Sequence, residues 1–129
     1  MPYLNCKLNI EESEEIANDI SEVLLKNTSE ILGKKAEVTA INIEFVGNGF
    51  WYIGKQKAKD SFFLDIKITE GTNTKEQKQS YIKQVFEDMK NILGELEPAS
   101  YIVIDDVRSD SWGFDGMTQE MRFLKKEGI

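Results

Sequence analysis

The chain has 129 residues, a net charge of −7, 40% hydrophobic residues and 30% charged residues. This balance is typical of one globular domain with its own core. It argues against nucleic acid or an anionic membrane as a partner, because both require a basic face. A small anionic substrate stays compatible with it, since a few lysines in one cleft can dominate the local field.

The counts of cysteine and histidine restrict the chemistry further. Cys6 is the only cysteine, which excludes an internal disulfide and favours a reducing cytoplasm. The absence of histidine removes the commonest metal ligand and the commonest general base. We therefore expect no metal and no organic cofactor. No apolar run approaches the length of a membrane span, and the N-terminus does not resemble a signal peptide. We expect a cytoplasmic protein.

The first element is a strand that Pro2 opens, because apolar residues alternate with polar ones over residues 4–10. If Met1 is removed, Pro2 carries a secondary amine at the end of a rigid strand. An unperturbed α-amino group titrates near pH 7.7–8.0, and an apolar pocket would lower that pKa. Such an amine can act as a base at neutral pH. The alternative is that Pro2 simply starts an edge strand, where its missing N–H needs no partner.

A helix follows, with Ser13 as its N-cap and apolar residues at helical spacing over residues 16–31. Gly33 is expected to end it. Residues 38–45 alternate as a strand, and a glycine turn and an aromatic stretch over 50–53 follow.

The second half repeats this order. Residues 62–68 predict a strand, and Thr74 with Gln77 has the spacing of a capping box. A helix is expected up to Gly94, then a fourth strand over 101–104 and a loop over 108–116. The tail from Met117 is expected to form a short element that docks on a neighbouring chain.

The two halves match at three residue pairs that mark a helix start, a helix end and a loop. The two members of each pair are 61 positions apart. The pairs are Ser13 with Thr74, Gly33 with Gly94, and Trp51 with Trp112. The first strand of each unit fits an offset of 60 better. The loop between strand and helix should therefore be one residue longer in the second unit than in the first. We therefore predict one domain over 1–129, made of two β-α-β units at about 1–58 and 59–129.

The predicted fold class is α/β (α+β): a four-stranded sheet with both helices on one face. Each unit contains a parallel β-α-β connection, which should be right-handed. The other sheet face would be uncovered and apolar in part, with Phe62 or Phe63 and Tyr3 or Leu4 on it. Such a face must be covered by another surface, and oligomerisation is the simplest way to cover it.

A tandem β-α-β chain that begins Met-Pro resembles the tautomerase superfamily. The segments ITEGTNTKEQKQSYIKQVF and YIVIDDVRSDSWGFDG are similar to the second half of its fused members. The resemblance covers nearly the whole chain. It implies a homotrimer, a site at each subunit interface, and an N-terminal proline that acts as general acid and base.

The resemblance also implies roles for individual residues. Pro2 matches the catalytic proline. Lys34, after the first helix, resembles a lysine that lines the site in the migration-inhibitory-factor branch. Tyr101, which opens the fourth strand, resembles a tyrosine that this branch takes from a neighbouring subunit. Trp51 and Trp112 fall where the family places aromatic walls of the pocket.

Most of these residues also have ordinary structural explanations. Lys34 can complement the C-terminal end of a helix. Tyr101, Trp51 and Trp112 can be packing residues in the sheet or at an interface. Arg108 is a candidate carboxylate clamp, since its planar fork suits bidentate binding. The aspartates beside it at positions 105, 106 and 110 can instead pair with it locally.

Together these observations predict a tautomerase or isomerase that acts on a 2-hydroxydienoate or on the enol of a 2-keto acid. Pro2 would shuttle the proton, and Lys34 and Tyr101 would bind and polarise oxygen. The alternative is a non-catalytic trimeric binding protein on the same scaffold. A ferredoxin-like nucleic-acid module has the same element order, but the acidic charge disfavours it.

The chain lacks arginines that many superfamily members carry just past the first strand of each unit. Glu12 stands at that position in the first unit, and Thr72 or Asn73 in the second. We predict weak or absent hydration of 3-haloacrylates and weak decarboxylation of malonate semialdehyde, because both reactions need a guanidinium there. Steady-state turnover of the two substrates tests this. Efficient turnover of either would show that Arg108 or a lysine replaces the missing groups.

Overall fold

The computed structural model describes residues 2–47 and 49–126. Within them the chain forms eight strands and three α-helices. The strands are β1 (Tyr3–Leu8), β2 (Ala40–Phe45), β3 (Tyr52–Ile53), β4 (Gln56–Lys57), β5 (Phe62–Thr69), β6 (Tyr101–Val107), β7 (Gly113–Phe114) and β8 (Met117–Thr118). The helices are α1 (Glu14–Glu30), α2 (Lys75–Leu93) and α3 (Gln119–Lys126).

The four long strands form one mixed sheet in the order β2-β1-β5-β6. β1 is parallel to β2, and β5 is parallel to β6, as expected for two β-α-β units. The central pair, β1 and β5, is antiparallel. The start of β1 therefore lies beside the end of β5, and the predicted four-stranded sheet is confirmed.

Both long helices begin at the predicted N-caps. The Ser13 hydroxyl accepts a hydrogen bond from the Ile16 N–H at 3.2 Å. Thr74 and Gln77 form the predicted capping box, with reciprocal bonds of 3.1 and 2.9 Å. Each cap satisfies amide groups that have no partner within the helix.

The two helices end differently. Gly94 caps α2 with a φ of +84°, a conformation that glycine adopts at low cost. Gly33 was predicted at the C′ position of the first helix, but it lies one residue beyond that position. The last helical residue is Glu30, and the C-cap is Ile31, whose N–H bonds to the Asn27 carbonyl at 2.9 Å.

The core lies between the sheet and both long helices, on one face of the sheet. It is formed by fully buried residues of β1, β5 and the helices: Leu4, Cys6, Leu8, Ile20, Leu24, Phe62, Leu64, Ile66, Ile68, Tyr81, Val85 and Met89. Burial raises the pKa of the Cys6 thiol to about 12, so this thiol stays protonated at neutral pH. The expected placement of both helices on one face is confirmed.

The repeat is visible in backbone geometry as well as in sequence. Tyr3 pairs with Ala40, 37 positions later, whereas Phe63 pairs with Tyr101, 38 positions later. This difference is the extra residue that the sequence places in the second loop. Each half also carries a short hairpin, β3–β4 or β7–β8, and the two hairpins are 61 positions apart. We keep the interpretation of one domain built from two such units.

Within residues 2–47 and 49–126, no helix packs on the other face of the sheet. Its exposed apolar side chains are Tyr3 at 37%, Phe63 at 38%, Tyr101 at 60% and Val103 at 44%. The Phe63 and Tyr101 rings pack with their centroids 6.5 Å apart. Beside them Lys67 pairs with Asp105 at 3.0 Å and with Asp65 at 3.7 Å. We call this surface the open face; it carries Phe63 and Tyr3, not the buried Phe62 and Leu4.

Among the helices of residues 2–47 and 49–126, none is long and apolar enough to span a membrane.

Candidate active site

Pro2 is buried and lies directly before β1, at the end of the sheet where this internal strand begins. Its carbonyl accepts a hydrogen bond from the Ala40 N–H at 3.2 Å, which ties it to the start of β2. The next residue, Tyr3, pairs with Lys67 near the end of β5. Pro2 therefore lies at the same end of the sheet as Thr69, the last residue of β5. Met1, whose removal would free the Pro2 nitrogen, lies outside the described residues.

Lys34 lies at this same end, in the connection between α1 and β2. Its backbone N–H bonds to the Thr28 carbonyl at 3.2 Å, which fixes the connection to the last turn of α1. Its ammonium donates to the Thr72 hydroxyl at 2.7 Å, and that hydroxyl donates to the Thr69 carbonyl at 2.6 Å. An ammonium has three N–H donors, so Lys34 can bind a substrate oxygen while it holds Thr72.

Asn73 fixes the loop between β5 and α2 against the end of α1. Its side-chain amide donates to the Leu32 carbonyl at 2.9 Å and to the Gln77 side chain at 3.1 Å. Positions 72 and 73, where the family often has arginine, thus carry short polar side chains that hold Lys34 and its loop in place.

The environment of Lys34 lowers the pKa of its ammonium below the ordinary value of 10.5. Burial is the main cause, and the negative charge of Asp106 acts in the opposite direction. Asp106 also forms an ion pair with Lys78 on α2. Lys34 therefore loses its proton at a lower pH than an exposed lysine does.

A pocket of about 600 Å³ opens beside Lys34. It lies between the ends of β5 and β6 on one side and α3 on the other. Besides Lys34 and Thr72, it is lined by residues that include Thr69, Glu70, Ser109, Gln119, Glu120 and Phe123. The pocket combines one cation, two carboxylates, several hydroxyl groups and an apolar wall. The cation, the hydroxyl groups and the apolar wall are the groups needed to bind a small oxyanion and to orient its apolar part.

Arg108 lies just past the end of β6, close to this pocket, and is paired locally. Its guanidinium binds both carboxylate oxygens of Asp110, at 3.1 and 2.8 Å. These bonds lower the pKa of the Asp110 carboxyl to about 2 and raise the pKa of Arg108. Arg108 thus has the bidentate geometry expected of a carboxylate clamp, but the carboxylate that it binds is Asp110 of its own chain.

Trp112 lies at the Lys34 end of the sheet, and its backbone holds a residue of the pocket wall in place. Its carbonyl accepts a hydrogen bond from the N–H of Gln119, a residue that lines the pocket. Trp51 makes the equivalent bond to the N–H of Ala58, 61 positions before Gln119. Trp51 itself lines a separate pocket of about 350 Å³, beyond the end of β2.

Tyr101 and Trp51 lie at the opposite end of the sheet from Lys34. Tyr101 is the first residue of β6 and pairs with Phe63, whereas Val107, at the far end of β6, pairs with Thr69. At a rise of about 3.3 Å per residue, the two ends of β6 are about 20 Å apart. A single chain therefore brings Pro2, Lys34, Trp112 and Arg108 to one end, and leaves Tyr101 and Trp51 at the other.

The second unit has a related pocket of about 410 Å³ at this other end, lined in part by Lys59 and Glu95. Glu95 is 61 positions after Lys34, and Lys59 is 61 positions before Glu120, so the two charges are reversed. The strand residue that corresponds to Pro2 is Phe62, 60 positions later, whose nitrogen is an in-chain amide. This second pocket therefore has no free N-terminal amine beside it to act as a base.

Sequence reasoning missed the pocket residues Glu70, Ser109, Gln119, Glu120 and Phe123. They belong to loops and to α3, and only the antiparallel pairing of β1 with β5 brings them towards Pro2. The one available indication was the apolar spacing of Met121 and Leu124 in the tail, which is typical of a short amphipathic helix.

Sequence comparison identifies relatives of this chain. A model of the family described as "Tautomerase enzyme" matches residues 63–120. Probable tautomerase K2 of Dickeya dadantii (strain 3937) is 35% identical over 54 residues, which cover 42% of this chain and 81% of that protein. That relative is thus about half as long as this chain.

Solved structures with low sequence identity share the fold. Pt0534, solved after inactivation by 2-oxo-3-pentynoate, has a TM-score of 0.85 at 15% identity, covering 93% of this chain and 98% of that chain. A fused 4-OT solved as an asymmetric trimer has a TM-score of 0.82 at 19% identity, with coverage of 93% and 98%. A macrophage migration inhibitory factor-like protein from Entamoeba histolytica has a TM-score of 0.76 at 22% identity, with coverage of 91% and 97%.

The chain belongs to the tautomerase family. The family and the fold together support an enzyme of the tautomerase or isomerase type.

The environment of Lys34 generates a prediction about its titration. Asp106→Asn should lower the pKa of Lys34 further, because it removes a charge that favours the ammonium form. NMR titration of the lysine side-chain signals, assigned with Lys34→Arg, measures the shift. Asp65→Asn is the matched control, since Asp65 pairs with Lys67 on the open face. A pKa of Lys34 that rises in Asp106→Asn, or that moves equally in the control, would contradict this description.

Proposed function

We propose that this protein catalyses proton transfer in a small anionic substrate, with Pro2 as general acid and base. The substrate class is a 2-hydroxydienoate, which becomes a 2-oxoenoate, or the enol of a 2-keto acid. The observation that supports this proposal is that Pro2 lies at the same end of the sheet as Lys34, which lines the 600 Å³ pocket. Pro2 itself is not among the residues that line this pocket within a single chain.

Pro2 would move the proton. With Met1 removed, its neutral nitrogen takes the proton from the substrate hydroxyl as the carbonyl forms. The same nitrogen then returns that proton to a carbon of the dienolate, so no other reactant is consumed. Burial of Pro2 and the positive charge of Lys34 both disfavour the protonated amine. They would lower its pKa below the ordinary α-amino range, towards the working pH at which a general base is most effective.

Lys34 would stabilise the negative charge of the substrate. Its ammonium can bind the carboxylate or the oxygen on which charge develops, and Thr72 holds it in place at 2.7 Å. The pocket wall that Phe123 contributes can pack against the apolar part of the substrate.

A homotrimer would complete the site. The fused 4-OT structures that share this fold are trimers. Tyr101 lies about 20 Å from the Lys34 end of its own chain, and it is exposed on the open face, as an interface residue can be in an isolated chain. In a trimer, Tyr101 of one subunit would donate a hydrogen bond to a substrate held by Pro2 and Lys34 of the next. Trp51 would reach the same interface.

The role of Pro2 predicts a specific pH–rate profile. With phenylenolpyruvate or 2-hydroxymuconate, kcat/KM should fall as the pH drops through the pKa of the prolyl amine. It should also fall as the pH rises through the lowered pKa of Lys34. Pro2→Ala should keep the fold and reduce kcat/KM by about 10²–10⁴, the usual contribution of a positioned acid or base.

The matched control for that experiment is a form that retains Met1, in which the Pro2 nitrogen is an amide. Intact mass identifies the two forms. Equal activity in the Met1-free enzyme, the Met1-retained form and Pro2→Ala would remove Pro2 from the mechanism. It would leave the non-catalytic binding protein as the better interpretation.

The trimer is tested by sedimentation equilibrium at micromolar concentration. We expect a mass of about three chains, each of 14.8 kDa. Val103→Asp should shift the mass towards one chain, because it places a charge in the apolar part of the open face. Lys83→Asp, on the exposed side of α2, is the control and should leave the mass unchanged. A mass of a single chain for the unmodified protein would reject the trimer.

A further inference from the structure

The charges that line the pocket are unevenly distributed. Among the described residues that line it, Lys34 is the only cationic side chain, whereas Glu70 and Glu120 are both anionic. The charge of Asp106 also acts on Lys34, but Asp106 is already paired with Lys78. The pocket can therefore neutralise one carboxylate of a substrate with Lys34. A second substrate carboxylate would be repelled by Glu70 and Glu120.

Arg108, the nearest candidate for a second cation, does not line the pocket and is paired with Asp110. Both of its hydrogen-bonded nitrogen atoms contact the Asp110 carboxylate, at 3.1 and 2.8 Å. The charges of Glu70 and Glu120 also act on Arg108 and favour its charged form. The guanidinium thus compensates carboxylates of its own chain. To bind a substrate it would have to give up a bidentate pair.

We infer that the site selects monocarboxylate enols over dicarboxylate enols, and that Glu70 and Glu120 are the residues that exclude the second carboxylate. This inference rests on the proposed function and names its substrate class. The single carboxylate of the substrate pairs with Lys34. The other end of the substrate is uncharged and either packs against Phe123 or donates a hydrogen bond to a glutamate.

A matched pair of substrates isolates the second carboxylate. 2-Hydroxymuconate and 2-hydroxypenta-2,4-dienoate share the same dienol and differ only in that group. We expect kcat/KM of the Met1-free enzyme to be at least about tenfold higher for the pentadienoate, the size expected from one uncompensated charge contact in a partly wet site. Raising the salt concentration should narrow the difference, because it screens the repulsion.

Two variants test the glutamates directly. Glu120→Gln and Glu70→Gln keep the side-chain shape and remove one charge each. Each should change the ratio of the two kcat/KM values by about 3–10-fold in favour of 2-hydroxymuconate. Glu22→Gln, on the exposed side of α1, makes the same chemical change away from the pocket and should leave the ratio unchanged. Circular dichroism confirms that all three variants are folded.

The outcomes separate this inference from the proposed function. If the enzyme turns over 2-hydroxymuconate as well as the pentadienoate, or better, the inference is overturned and the proton-transfer function stands. If the pentadienoate is preferred but neither glutamate variant changes the ratio, the assignment to Glu70 and Glu120 is wrong. If neither substrate is turned over, the proposed function fails, and the inference fails with it.

Discussion

The antiparallel pairing of β1 with β5 is the constraint on which the candidate site depends. Each unit alone is a parallel β-α-β element, whose strand start and strand end lie at opposite ends of the sheet. Antiparallel contact between the first strands of the two units places the start of β1 beside the end of β5. It thereby places Pro2 at the same end of the sheet as the loop that carries Thr72, whose hydroxyl accepts a hydrogen bond from Lys34. The candidate site therefore draws residues from both halves of the chain.

The same pairing separates the remaining candidates. β6 runs parallel to β5, so Tyr101 begins at the end of the sheet that is far from Lys34. The open face is apolar around Phe63, Tyr101 and Val103, and it is the surface that a neighbouring subunit would cover. In the proposed trimer, the subunit contact and the contribution of Tyr101 to a neighbouring site would both follow from this strand order.

Local patterns in the sequence predicted much of this fold, because they depend on neighbouring residues. The side-chain caps at Ser13 and Thr74 satisfy backbone groups within one turn of helix, so their spacing is visible in the sequence. The 60- and 61-residue offsets predicted the one-residue difference in strand register. The placement of both helices on one face followed from the two parallel connections.

Features set by distant residues were not predictable in the same way. The strand order and the antiparallel centre depend on tertiary packing, and with them the closeness of α3 to Lys34. The role of Thr72 is an example: as a departure from the family pattern it pointed only to a missing arginine, whereas the structure shows its hydroxyl holding the Lys34 ammonium. The positive φ of Asp115 in the second hairpin, at +51°, where the first hairpin has Gly54, was likewise not indicated by the sequence.

The central claim is that Pro2 carries a free amine that shares one site with Lys34. The most direct measurement is the ¹⁵N NMR titration of the Pro2 nitrogen in Met1-free protein labelled with ¹⁵N-proline, with and without Lys34→Gln. The account predicts a pKa below the ordinary α-amino range of about 7.7–8.0, and a higher pKa in Lys34→Gln, because a neighbouring positive charge is removed. A Pro2 pKa that is the same in both proteins would contradict the shared site.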